Sequence, residues 1–167
     1  MILIGGGSRS GKSRAALEML KAAGPRAGFI ATAQAWDDEM RERIRRHREE
    51  RGAEIVTWEE PFAVADRIDA EDGRFDAIVV DCLTLWLTNI MLAETFSIEN
   101  ECRKLVEACA RAQTKIILVT NEVGCGIVPD NALARRFRDE AGRLHQLAAQ
   151  RAAEVHWMIF GIGMRIR

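Results

Sequence analysis

The stretch Gly6-Gly7-Ser8-Arg9-Ser10-Gly11-Lys12-Ser13 constrains this chain more than any other part of it. It fits the pattern G-x-x-x-x-G-K-[ST], in which glycines let consecutive backbone N–H groups curl around a phosphate without Cβ clashes. The apolar run Met1-Ile2-Leu3-Ile4 leads into it, and Arg14-Ala15-Ala16-Leu17-Glu18-Met19-Leu20 follows with the pattern of a helix. Strand, glycine loop and helix in that order aim a helix N-terminus at the bound phosphate. In such a loop Lys12 reaches the β- and γ-phosphates and the Ser13 hydroxyl can ligate Mg2+. The bland alternative, a glycine-rich turn with an incidental lysine, gives no reason for the flanking strand and helix.

The rest of the chain repeats the alternation. Strand candidates are 2–5, 27–32, 54–58, 76–81, 115–120 and 155–160, with a short tail at 164–166, and helix candidates are 12–23, 37–51, 61–70, 84–93, 97–112 and 131–153. Most of the strand runs are nearly continuous in apolar residues, as expected for strands buried on both faces. The pattern predicts an α/β fold with a mostly parallel sheet, helices on both faces and an edge strand after Gly161. A length of 167 residues fits one domain spanning 1–167. Lys plus Arg number 24 against 25 Asp plus Glu, a balance that offers no basic surplus for nucleic acid. No apolar run reaches the length of a membrane helix, and the first residues read as a strand rather than a signal peptide. The four cysteines, Cys82, Cys102, Cys109 and Cys125, form no C-x-x-C pair, which suits a reduced, cytoplasmic protein. Cys102 and Cys109 lie seven apart on a predicted helix, so both are expected to face the core.

In open α/β sheets ligands gather at the carboxyl ends of the strands. That rule brings together the P-loop, Thr32-Ala33, Asp81-Cys82 and Thr120-Asn121-Glu122. Ile78-Val79-Val80-Asp81 is a hydrophobic strand ending in a carboxylate, the expected position of an acid that holds Mg2+; capping of the next helix is the alternative. The segment 37–51 is densely charged, with Asp37 and Asp38 suited to a helix start and Glu39/Arg43, Glu42/Arg46 and His47/Arg51 spaced as i,i+4 pairs. A solvated helix accounts for most of it. His47 stands apart, because a neutral imidazole among arginines can act as a nucleophile where a polyphosphate is attracted. His145, within a long helix, and His156, beside Trp157, read as structural or exposed, and Trp86 as part of a packing face. The polar segment from Thr120 to Asn131 reads either as a mobile site loop or as a connector whose Asp130 or Asn131 caps the following helix.

Taken together these residues resemble a known family, the bifunctional adenosylcobinamide kinase/adenosylcobinamide-phosphate guanylyltransferases of cobalamin biosynthesis. The resemblance runs through Gly6–Ser13, Ile30-Ala31-Thr32-Ala33, Asp37-Asp38-Glu39-Met40, Arg43-Ile44, His47, and Asp81 to Asn89. It continues through Thr120-Asn121-Glu122-Val123-Gly124, Gly126-Ile127-Val128-Pro129 and the Gly161-Ile162 ending. The combination of D-D-E-M-x-x-R-I-x-x-H with T-N-E-V-G-x-G-I-V-P is far more specific than the P-loop alone. Two positions depart from the family pattern: Gly7-Ser8 where Gly-Ala is common, and His145 where an asparagine is expected.

The resemblance implies a RecA-like P-loop NTPase fold, a homotrimer, and GTP and ATP as substrates together with adenosylcobinamide and its phosphate. It implies that His47 is the guanylylated, catalytic residue alongside Lys12, and that Ser13 and Asp81 hold the metal. Nucleotide contacts carry over to Gly6, Gly7, Ser8, Arg9, Ser10, Gly11, Lys12 and Ser13, to Ala31, Thr32 and Ala33, to Arg48, Glu49, Glu50 and Arg51, and to Glu59 and Asp81. The implied reactions are γ-phosphoryl transfer to the aminopropanol hydroxyl of adenosylcobinamide, then GMP transfer from GTP through His47 to give adenosylcobinamide-GDP. Two competing readings remain at this level. A P-loop binding module that acts as a switch lacks support, since no N-K-x-D guanine-reading motif occurs. A plain small-molecule kinase would not need His47.

Overall fold

Runs such as Ile78-Val79-Val80 have no polar side to give to water, and the chain answers by covering both faces of one sheet. The computed structural model describes residues 1–35 and 38–167 and, within 38–51, the side chains of 38, 41, 42, 45, 48, 49 and 51. Its elements are β1 Ile2–Gly6, α1 Lys12–Ala23, β2 Ala27–Ala31, α2 Asp38–Arg51, β3 Val56–Glu59, α3 Val64–Glu71 and β4 Ala77–Asp81. They continue as α4 Leu83–Leu92, α5 Ile98–Arg111, β5 Lys115–Val119, α6 Ala132–Arg151, β6 Glu154–Ile159 and β7 Ile162–Arg165.

Among the described residues the sheet has seven strands in the order β3-β2-β4-β5-β1-β6-β7, and every neighbouring pair is parallel except β6 and β7. Alternate residues of one strand serve opposite cores. Ile78 and Val80 pack with Leu3, Ile116 and Leu118 beneath α3, α4, α5 and α6. Ala77 and Val79 pack with Ile4, Ile117 and Val119 beneath α1 residues Ala16 and Leu20. The register sets Ile4 opposite Val119, Val119 opposite Asp81, Asp81 opposite Ala31 and Ala31 opposite Glu59, one transverse row near the carboxyl ends.

Boundaries differ from the expected ones where polar side chains close turns or form ion pairs. The Glu60 carboxylate accepts from Phe62 N at 3.2 Å and Ala63 N at 2.9 Å, so helix α3 starts at Val64 rather than at 61. Glu54 pairs with Lys21 at 3.3 Å, and β3 begins two residues later than 54. Asn131, not Asp130, caps α6, its side chain accepting from Ala134 N at 3.1 Å. The final strand starts at Ile162, directly after a Phe160-Gly161 turn. Cys102 and Cys109 face the core as expected, and burial pushes both thiols up to about 12. On α2 the described pairs are Arg41 with Asp38 and Arg45 with Glu42 and Glu49. The expected helix start at Asp37 and the partners Glu39, Arg43, Arg46 and His47 of the three expected pairs lie outside the described residues and side chains.

Trp86 joins the larger core to the crevice side of the sheet. It is 1% exposed, and its Nε1 donates to Phe62 O at 2.8 Å. Truncating it leaves both a cavity and an unpaired carbonyl, so Trp86→Ala is expected to lower unfolding free energy by about 3–5 kcal/mol. Urea unfolding followed by circular dichroism checks this as a lower midpoint with unchanged slope.

Candidate active site

Close packing and positive φ angles set the shape of the P-loop. Gly6 has φ 151°, and a Cβ there would stand 2.5 Å from Met158 O of the neighbouring strand β6. Gly11, at φ 96°, turns the chain into α1, and a Cβ on it would meet Gly161 Cα at 3.2 Å. Gly7, Ser8 and Arg9 are exposed between them, and Ser10 is buried. Lys12 is 6% exposed, and its Nζ donates to Gly7 O at 2.5 Å and to Ser10 Oγ at 3.3 Å. Burial lowers the Lys12 pKa, while Asp81 and then Cys82 oppose that shift. The ammonium is held by loop oxygens within reach of the space an anion would fill.

Ser13 and Asp81 meet across the sheet. Ser13 Oγ, in the first turn of α1, donates to Asp81 Oδ2 at 2.8 Å, although β5 separates β4 from β1, the strand that leads into α1. A hydroxyl and a carboxylate at this spacing are hard oxygen donors of the kind Mg2+ takes, so the residues present fit that ion. The Asp81–Cys82 peptide is cis. Buried polar groups hold the chain on the C-terminal side of Asp81. Thr32 is fully buried, and its Oγ1 donates to Cys82 O and accepts from Cys82 N, both at 2.8 Å. Asn89 on α4 donates through Nδ2 to Thr32 O at 2.8 Å and Pro61 O at 3.0 Å. Asn121 donates to Thr84 Oγ1 at 3.0 Å, beside the Cys82 thiol.

Ala31 and Ala33 lie at the end of β2, and Ala33 and Glu59 line a cleft of about 360 Å³ with Gln34, Ala35, Arg41 and Pro61. Arg48 reaches Glu59 at 3.8 Å, both exposed. Arg51 is instead turned inward, its guanidinium 4.3 Å above the Phe29 ring. Glu49 pairs with Arg45. The side chains of His47 and Glu50 lie outside those described, and both residues belong to α2. The P-loop residues with Thr32 and Asp81 therefore form one cluster, and Ala33, Arg48 and Glu59 gather at the β2–β3 end of the same row.

The segment after β5 is neither free nor idle. Thr120 N donates to Ile4 O at 2.9 Å and Glu122 N to Gly6 O at 3.0 Å, which ties it to the strand carrying the P-loop. The Glu122 carboxylate accepts from Gly124 N at 2.6 Å and Cys125 N at 2.9 Å. Burial alone would raise its pKa, but the Cys125 and Gly124 amides outweigh that and hold it below the ordinary glutamate value. Arg138 donates to Gly124 O, and Arg135 to Pro129 O and Asp130 O. His145 is half-buried and hydrogen-bonded through Nε2 to Thr120 Oγ1 at 2.7 Å, while His156 Nε2 meets Glu154 at 2.9 Å.

Two features escape the sequence reading. Asn89 sits in a run otherwise read as a packing face, and only its 57-residue separation from Thr32 in sequence, closed by the fold, reveals the bond. The Phe160-Gly161 turn touches the P-loop, Gly161 N donating to Ser10 O at 3.0 Å. The paired Gly161 and Gly163 were a signal for a turn but not for its neighbour.

A phosphate loop on one strand and a carboxylate two strands away, on a parallel sheet covered by helices, define a P-loop nucleotide-binding fold of the RecA-like kind. A solved structure of a protein from Pyrococcus horikoshii OT3 shares the fold with a TM-score of 0.55 at 9% identity, covering 99% of this chain and 84% of that one. The sequence model of the family described as cobinamide kinase / cobinamide phosphate guanyltransferase matches residues 2–166, and the chain belongs to that family. It is 46% identical to the bifunctional adenosylcobalamin biosynthesis protein CobP of Pseudomonas aeruginosa, over 99% of this chain and 96% of that one. It is 43% identical to the bifunctional adenosylcobalamin biosynthesis protein CobU of Salmonella typhimurium, over 100% and 99%. No helix among the described residues is long and apolar enough to cross a membrane.

His145 gives the site region a pH signature. Burial lowers its pKa from 6.5, with Glu122 opposing. An unfolded chain then takes up a proton as pH falls below 6.5 while the folded protein does not, so stability is full above that value and declines beneath it. His145→Asn, which can still bond Thr120, is expected to lose less stability than the parent between about pH 7.5 and about pH 5.5. Urea unfolding of both proteins at the two pH values checks it; equal losses would refute the assignment.

Proposed function

We propose that this chain phosphorylates adenosylcobinamide and then transfers GMP from GTP to adenosylcobinamide phosphate, both at the single P-loop. The observation that carries the reading is the Ser13–Asp81 hydrogen bond at 2.8 Å beside the buried Lys12. Phosphoryl transfer is mostly positioning and neutralisation of charge. Lys12 would leave Gly7 O for the β- and γ-phosphates, and exposed backbone N–H groups from Gly7 to Arg9 would receive the remaining oxygens. Ser13 and Asp81 would hold Mg2+, which supplies neutralising charge to the phosphates when bound. In the first reaction the acceptor hydroxyl oxygen bonds to the γ-phosphorus of ATP or GTP, the bond to the nucleoside diphosphate breaks, and the hydroxyl proton is lost.

In the second reaction a His47 ring nitrogen bonds to the α-phosphorus of GTP, and pyrophosphate leaves. A phosphate oxygen of adenosylcobinamide phosphate then bonds to the same phosphorus. The N–P bond breaks and the free imidazole returns. Arg41, Arg45 and Arg48 on the same helix are ion-paired to exposed or half-exposed carboxylates, and a polyphosphate would compete for them. Ala33, Arg48 and Glu59 are the proposed nucleotide contacts at the β2–β3 end, and the Thr32 side chain acts within the scaffold. The reading includes one domain over 1–167 on the ground of length, a cytoplasmic location on the ground of the unpaired cysteines, and a homotrimer with small-molecule substrates on the strength of the family resemblance.

Lys12→Ala is expected to reduce both transfers by about 100-fold or more. Steady-state assays of each reaction on the folded variant test this, and full retention of either would require a second nucleotide site.

His47→Asn is expected to abolish a covalent, acid-labile GMP adduct and guanylyl transfer while sparing most of the kinase reaction. Labelling with α-labelled GTP reads the adduct; its formation at the parent rate assigns the nucleophile elsewhere, with His145 and His156 the next to substitute.

A further inference from the structure

Two solvent-facing apolar tips adjoin segments hydrogen-bonded to the P-loop, one on each side of β1. On the β5 side the chain bonds Glu122 N to Gly6 O and then presents Ile127 and Val128, 97% and 59% exposed. On the β6 side Gly161 N bonds Ser10 O, and Phe160 before it is 94% exposed with φ 50°. A bulky residue rarely takes that backbone conformation, and such outliers concentrate where a ligand is met. Neither tip hangs loose. The first is pinned by the Glu122 carboxylate and by Arg135 and Arg138, the second by its bond to Ser10. Phe160 stands between the exposed Ile159 and Ile162, and Ile127 beside Val128, and adjoining exposed apolar side chains of this kind mark a contact surface.

The proposed nucleotide contacts Ala33 and Glu59 lie beyond β4, at the β2–β3 end of the sheet. The family's reactions need a second substrate, a corrinoid whose ring edge is rich in methyl and methylene groups, with its reacting oxygen at the phosphate. We propose that Ile127, Val128 and Phe160 seat this acceptor, holding the corrin edge on the β5 and β6 side while the nucleotide occupies the β2–β3 side. The inference rests on the function proposed above.

The test replaces Ile127, Val128 and Phe160 with serine, singly and together. All three side chains are exposed, so folding is expected to survive. For parent and variants, calorimetry reads GTP affinity, initial rates read KM for adenosylcobinamide, and sedimentation reads mass. The triple variant is expected to raise KM for adenosylcobinamide about tenfold or more, with GTP affinity within about twofold and mass unchanged. An unchanged KM overturns the proposal, as does a KM change found only where the mass falls, which would assign the tips to contact with a second copy. If the parent binds GTP but does not phosphorylate adenosylcobinamide, the proposed function fails instead. Titration of adenosylcobinamide by its visible absorbance then decides the seat: weaker binding by the triple variant sustains it, and absent or equal binding overturns it.

Discussion

The hydrogen bond from Ser13 to Asp81 joins the first turn of α1 to the end of β4, and β4 is not paired with β1, the strand that leads into α1. It exists only because β5 lies between those strands in register, with Ile4 opposite Val119 and Val119 opposite Asp81. A slip of one residue in β4 would turn Asp81 to the other face of the sheet and bring Cys82 into its place. The two apolar cores are therefore more than ballast. Ile78 and Val80 on one side, and Val79 on the other, fix the register that fixes the carboxylate.

Around that bond the fold concentrates polar groups that elsewhere would be costly to bury. Thr32 and Asn89 are buried yet hydrogen-bonded, and each closes a gap between elements: Thr32 between β2 and β4, Asn89 between α4 and the β2 end. Buried hydroxyls and amides cost little when paired and specify one arrangement when they are. Lys12 differs, because its partners are a carbonyl and a hydroxyl, neither of them an anion. Burial lowers its pKa although the Asp81 carboxylate opposes the shift, so the loop holds a cation that its surroundings compensate only in part.

Much of this was legible in the residues. Continuous apolar strands separated by helical patterns dictate a buried parallel sheet, and the P-loop is a local pattern whose flanks can be checked by eye. Asp81 was legible because it ends a strand. Boundaries shifted where single side chains find partners that periodicity cannot register, Glu60 closing a turn and Glu54 pairing with Lys21 of α1. The bonds from Asn89 to Thr32 and from Gly161 to Ser10 could not be read, since strand order alone brings them together. His47 and the residues after it stand on likeness to a family, because a charged helix reads physically as a solvated one.

Within the P-loop, neighbouring glycines answer to different constraints. A side chain on Gly6 would collide with the Met158 carbonyl, whereas one on Gly7 would meet nothing within 4 Å of its Cβ. Gly6 is thus required by the sheet whether or not a nucleotide ever binds, whereas the fold leaves room for a side chain at Gly7. Within one short signature the packing of the sheet holds the first letter, and Lys12 and Ser13 at its end carry the chemistry. A lineage that gave up the chemistry while keeping the fold would be free to rewrite the end and would still be held to the first letter.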